Sequence, residues 1–111
     1  FHLKKMPQLE YLGLRGNPIT DYGLMQIKIL INLKGLNLGE TRITDKGIKE
    51  ISKLRNLEEL WLQETSVSDA SITELGKLNK LRSLDLRNTQ FTDDGIDEMK
   101  KALPNCTLRF E

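Results

Sequence analysis

Apolar and polar residues recur along this chain with a period of 24 residues and no insertions. Four units begin at Gln8, Asn32, Asn56 and Lys80, and a partial fifth, PNCTLRFE, follows from Pro104. Seven positions in each unit are apolar. In the second unit they are Leu33, Leu36, Leu38, Ile43, Ile48, Ile51 and Leu54; in the fourth, Leu81, Leu84, Leu86, Phe91, Ile96, Met99 and Ala102. Each unit holds two periodicities. The Leu-x-Leu step, as in Leu60 and Leu62, predicts a short strand with both leucines on one face. Ile48, Ile51 and Leu54, three apart, predict a short helix with one buried stripe. Residues 1–7 read as the tail of a preceding unit, with Leu3 and Met6 in register with Ile27 and Leu30.

Between strand and helix stands a Thr/Ser-Asp pair: Thr20-Asp21, Thr44-Asp45, Ser68-Asp69 and Thr92-Asp93. The hydroxyl is placed to accept from a free helix N–H, and the acidic neighbour suits the positive end of the helix dipole. Gly23, Gly47 and Gly95 follow, where a missing side chain lets the helix approach the sheet. The third unit departs, with Ser71 at that position and Gly76 in its last helical turn, so its helix is expected to be the least regular. Strands joined through helices run parallel, and units too small to fold alone stack into one shared core. Asn17, Thr41, Thr65 and Thr89 fall where the chain leaves each strand, placed to hydrogen-bond the turn backbone. The whole chain, 1–111, is expected to be one domain: a tail at 1–7, four repeats at 8–103 and a C-terminal cap strand at 104–111.

The motif L-x-x-L-x-L-x-x-[TN], present as LKGLNLGET, LEELWLQET and LRSLDLRNT, resembles the leucine-rich-repeat family from Leu3 to Phe110. The second half, ITDxGI, is similar to the cysteine-containing and ribonuclease-inhibitor-like subgroups. Thr in place of their Cys or Asn is similar to repeats common in bacterial proteins. The resemblance implies an α/β solenoid, a short right-handed arc with a parallel sheet on the concave side and helices on the convex side. It also implies a protein-recognition role.

Charge narrows the partners. Seventeen Lys plus Arg against sixteen Asp plus Glu leave +1, which gives no reason to expect nucleic acid or an anionic membrane. The longest apolar run, Ile29–Ile31, is far short of the roughly 20 residues of a spanning helix. One cysteine, Cys106, and one histidine, His2, exclude an intrachain disulfide framework and remove most enzyme classes that depend on those side chains. A lone thiol fits a reducing cytoplasm and does not exclude export. No cofactor or metal motif is present, and the expectation is a binding protein rather than an enzyme.

The candidate site is the strand face turned away from the core. By parity it carries Tyr11, Gly13 and Arg15; Gly35, Asn37 and Gly39; Glu59, Trp61 and Gln63; Ser83, Asp85 and Arg87; and Thr107, Arg109 and Glu111. Asn37, Trp61 and Asp85 fall in one row, with the only tryptophan at its middle, which fits a binding anchor. Gly13, Gly35 and Gly39 are expected to leave a bare-backbone trough beside it. The partner-binding set is thus Trp61, Asn37, Asp85, Glu59, Gln63, Tyr11, Arg15, Arg87 and Arg109. Acidic residues Asp93, Asp94, Asp97 and Glu98 and basic residues Lys46, Lys49, Lys53 and Arg55 are assigned to solvated helix faces. The first strand is expected to present an unpaired edge, which calls for further repeats upstream or edge-to-edge association. The rival reading is a structural spacer, or the C-terminal part of a longer repeat protein whose activity lies N-terminally.

Overall fold

Each Leu-x-Leu step forms a three-residue strand in the computed structural model, which describes residues 8–111. The readings of residues 1–7, Leu3 and Met6 included, lie outside the described residues. Strands β1 (Tyr11–Gly13), β2 (Gly35–Asn37), β3 (Glu59–Trp61), β4 (Ser83–Asp85) and β5 (Thr107–Arg109) pair in chain order as one parallel sheet. The register follows the 24-residue period. Leu12, Leu36, Leu60, Leu84 and Leu108 align in one row, and Gly13, Asn37, Trp61, Asp85 and Arg109 in the next.

The connecting segments are short helices: α1 (Asp21–Leu24), α2 (Asp45–Ile51), α3 (Ile72–Leu75) and α4 (Asp93–Ala102). The third is irregular as expected, entered through a 3₁₀ turn at Asp69–Ser71. The first is equally broken, with four α-helical residues and a separate 3₁₀ turn at Ile27–Ile29. Leucine and isoleucine from strands, turns and helices close one continuous core, partly open at Leu9, Leu12, Ile19, Ile72, Phe91 and Leu108. The fourth unit corrects one core assignment: Ala102 is exposed and Leu103 is buried in its place. Helix α4 runs to Ala102, well past the point where α2 stops, and the extra turn carries Leu103, four residues after Met99, over the core.

The Thr column does what its spacing predicts. Thr41, Thr65 and Thr89 donate through Oγ1 to the carbonyls of Leu38, Leu62 and Leu86, each at 2.7 Å, and Asn17 donates through Nδ2 to Leu14 at 3.2 Å. The residue just before each of them is left-handed: Gly16, Glu40, Glu64 and Asn88, with φ of 78°, 57°, 56° and 56°. Only Gly16 adopts this without a Cβ penalty, so the side-chain bond helps to hold the other three turns.

Thr44, Ser68 and Thr92 cap their own helices, whereas the aspartates bond to the next unit. Asp21 accepts from the Thr44 N–H at 2.7 Å and from the Thr44 hydroxyl. Asp45 accepts from the Ser68 N–H and hydroxyl, both at 2.7 Å, and Asp69 from the Thr92 N–H at 2.9 Å and hydroxyl at 2.5 Å. A carboxylate ladder therefore joins each unit to the next. It also explains the glycine column and corrects its reading: a Cβ on Gly47 would lie 2.5 Å from Asp21 Oδ1, and one on Gly95 1.9 Å from Asp69 Oδ1. The close approach is to the preceding unit's aspartate, not to the sheet; at Gly23 it is to Ile19 of the same unit. Ser71 replaces this glycine in the third unit and turns the contact into a bond, its hydroxyl donating to Asp45 at 2.5 Å. Gly95→Ser is accordingly expected to change stability by less than about 1 kcal/mol, whereas the branched Gly95→Val should lose about 2 kcal/mol through overpacking. Urea midpoints of the two variants check this, and equal losses would contradict it.

Strand β5 covers the far side of β4, where the Leu86 N–H donates to Arg109 at 2.6 Å and the Thr107 N–H to Arg82 at 2.8 Å. Deleting residues 104–111 uncovers β4 and the last core layer. Terminal units shield that layer in repeat proteins. The truncated chain should melt lower by on the order of 10 °C and associate as its concentration rises. An unchanged melt and a monomeric product would contradict this.

Candidate functional site

The sheet face away from the core is built by period-two alternation, so the side chains flanking each buried leucine point outward. Tyr11, Arg15 and Arg109 are exposed; Asn37, Glu59, Trp61 and Arg87 are half-buried; Gln63 and Asp85 are buried. Trp61 sits on β3, the middle of five strands, with Asn37 and Asp85 directly beside it.

Its two neighbours are tied down by their own backbones. Asn37 Oδ1 accepts from the Gly39 N–H at 3.0 Å. Asp85 accepts from the Arg87 N–H at 3.1 Å and is clamped by the Arg87 guanidinium, with Nη2 at 2.6 Å from Oδ2. The Asp85 side chain is only 1% exposed. Burial pushes its pKa up, but the Arg87 hydrogen bonds, with the charges of Arg87 and Arg109, outweigh this and hold the carboxyl below its ordinary range. The Arg87 guanidinium is raised in turn by its bond to Asp85. Asp85 thus positions Arg87 and offers little of itself to a partner.

The trough expected from the glycines is filled. The Tyr11 ring lies over Gly35, within 2.6 Å of where a Cβ would be, and the Gln63 amide lies over Gly39 at 2.4 Å. Gly35 and Gly39 leave room for these side chains rather than for a partner. Of the three, Gly13 alone has open space above it. Gln63 Oε1 is buried without a hydrogen-bond donor among the described residues.

An open cleft of about 290 Å³ lies at the C-terminal ends of the strands, lined by Arg15, Gln63, Glu64, Arg87, Asn88 and Glu111. Parity had not drawn Glu64 and Asn88 into the site. They enter because both adopt the left-handed turn conformation that bends the chain back over the sheet end; Gly16 and Asn88 in one register were the sequence signal for that bend. Arg15 is paired with Glu40 here. No group of three His, Cys, Asp or Glu side chains converges on a metal-sized site among the described residues. Cys106 is half-buried, and burial pushes its thiol pKa up to about 11, so it is protonated at neutral pH and a poor nucleophile. No helix of the described residues is long and apolar enough to cross a membrane.

A five-stranded parallel sheet closed on one side by helices at a fixed repeat is an α/β solenoid. The sequence profile of the family described as Leucine Rich repeat matches residues 5–28, 30–52 and 77–99, more than half of the chain. The chain belongs to the leucine-rich-repeat family. No curated protein matches it at a significant level. Among solved structures it is similar to an internalin (inlF) of Listeria monocytogenes, with 27% identity and a TM-score of 0.80 over 98% of this chain and 32% of that one. Internalin C2 of the same organism gives 26% identity and a TM-score of 0.78, covering 98% of this chain and 47% of that one. A leucine-rich-repeat protein of Leptospira interrogans gives 26% and 0.77, covering 97% and 27%. The chain spans less than half the length of each.

Proposed function

We propose that the strand face is a protein-binding surface and that Trp61 is its central anchor. The fold is one that commonly serves as a protein-interaction module, built as a scaffold rather than as a catalyst. The observation that carries the reading is the contrast within one row. Asn37 spends its side-chain oxygen and Asp85 both carboxylate oxygens internally, which leaves the half-exposed Trp61 ring as the largest apolar group the row offers. A large rigid aromatic adds apolar area at small entropic cost on binding. Tyr11, Arg15, Glu59, Arg87 and Arg109 surround it as a polar and mixed-charge rim, while Gln63 covers Gly39 on the same face. The similar structures are bacterial, which supports a bacterial type of repeat for this chain too. The unpaired side of β1, which among the described residues has only β2 as neighbour, supports further repeats upstream.

Trp61→Ala is expected to weaken a protein partner selected on the wild-type chain by about thirtyfold, roughly 2 kcal/mol. It should leave the melt nearly unchanged, because Leu60 and Leu62 carry the core contacts of β3. Titration of both proteins with that partner, with parallel thermal melts, is the test. Equal affinity would place binding elsewhere, and a collapsed melt would make Trp61 a packing residue.

A further inference from the structure

The convex side of the first unit departs from that of the second and third. Tyr22, Met25, Ile29 and Ile31 are exposed, Tyr22 by 79% and Ile31 by 60%. The same positions of the second unit are Lys46, Lys49, Lys53 and Arg55, and of the third Ala70, Thr73, Lys77 and Asn79, every one of them exposed. Those two units have neighbours on both sides. The positions therefore face solvent even inside a stack, and a repeat added ahead of the first unit would not bury Tyr22 or Met25. Four large apolar residues stand exposed where the second and third units place Lys, Arg or small groups, and exposed apolar surface of this kind marks an interaction site.

One unit along, at the register positions of Tyr22 and Met25, stand Lys46 and Lys49. Neither forms an ion pair among the described residues, and Lys49 acts on the Glu74 carboxylate only through space. We propose that this convex face, Tyr22, Met25, Ile29 and Ile31 with Lys46 and Lys49 beside them, docks an acidic amphipathic helix of a partner protein. Apolar side chains at i, i+3 or i+4, and i+7 of such a helix cover the patch, and carboxylates on its flank meet the two ammonium groups. An anionic bilayer is disfavoured by the same surface, because Asp94, Asp97 and Glu98 project from α4 on the convex side of the fourth unit and repel it. A short helix across the first two units avoids them.

The test is selection of a displayed random 16-residue peptide library on the wild-type chain after depletion on the Tyr22→Ala/Met25→Thr variant. That variant gives the first unit the third unit's residues, which keeps it compatible with the fold. Enriched peptides are expected to carry helical apolar spacing and net negative charge. Their affinity should fall at least tenfold on Tyr22→Ala/Met25→Thr, fall and lose its salt dependence on Lys46→Ala/Lys49→Thr, and stay unchanged on Trp61→Ala. Enrichment of neutral or basic peptides, or of none that depends on Tyr22 and Met25, would overturn the proposal. So would binding of the wild-type chain, through Tyr22 and Met25, to vesicles of phosphatidylserine and phosphatidylcholine.

Discussion

Leu60→Ala should destabilise the protein by about 3 kcal/mol, within the usual range for emptying a well-packed leucine site. Leu60 is 1% exposed on the middle strand, with Leu36 and Leu84 on either side in the same row. A cavity there has packed neighbours on every side, and the short strands have no spare length with which to collapse into it. Stability in a stack is approximately a sum of unit and interface contributions, so a defect in the third unit weakens two interfaces at once. A loss of that size corresponds to on the order of 15 °C in the melting temperature. Leu108→Ala, at the half-buried end of the same row, serves as the comparison and should cost less than half as much. Urea unfolding followed by far-ultraviolet circular dichroism measures both, and equal losses would show that the core is not continuous across the units.

The second large effect lies in the carboxylate ladder. Asp45 holds three donors, the Ser68 N–H and the Ser68 and Ser71 hydroxyls. Asp45→Ala removes the acceptor for all three and should cost about 2–3 kcal/mol, the range for hydrogen bonds to a charged group whose partners are left partly buried. Burial raises the Asp45 pKa, but the bonds from Ser71 and Ser68 outweigh it, so the folded value lies below the ordinary one. A carboxyl of that kind contributes its stability above an unfolded pKa of about 3.9 and loses it as the pH falls through the folded value. Asp85 and, through bonds from Lys77 and Ser52, Glu74 are lowered as well. Stability should therefore be level near neutral pH and decline on the acid side below about pH 4. Asp45→Asn should make that acid limb shallower without abolishing it. A variant that declines as steeply as the wild type would remove Asp45 from the ladder.

The strands, the core stripe and the Thr-held turns were legible in the sequence because each depends on alternation or on a neighbour a few residues away. The ladder was not. Asp45 and Ser68 stand 23 residues apart, and an aspartate at a helix start has a sufficient local explanation in the helix dipole. The exact recurrence of both partners was the available signal. Ala102 was misassigned because a constant repeat was imposed on a helix that runs one turn longer. Parity placed Trp61 on the open face and predicted its row, but parity cannot say which outward groups are already engaged. Tyr11 over Gly35, Gln63 over Gly39 and Arg87 on Asp85 are contacts made by outward side chains, set by their length and charge rather than by the repeat. The apolar convex positions of the first unit were legible in principle, since Tyr22, Met25, Ile29 and Ile31 differ from their counterparts in the second and third units in a plain alignment of one unit on another.

Trp61 is the only tryptophan of the chain, so its fluorescence reports on the centre of the strand face and on nothing else. The most direct measurement is acrylamide quenching of that emission, with and without a saturating protein partner. Quenching should be efficient in the free protein and fall severalfold in the complex, with a blue shift as the ring leaves water. Quenching that is the same in the free and bound protein would contradict a binding surface centred on Trp61.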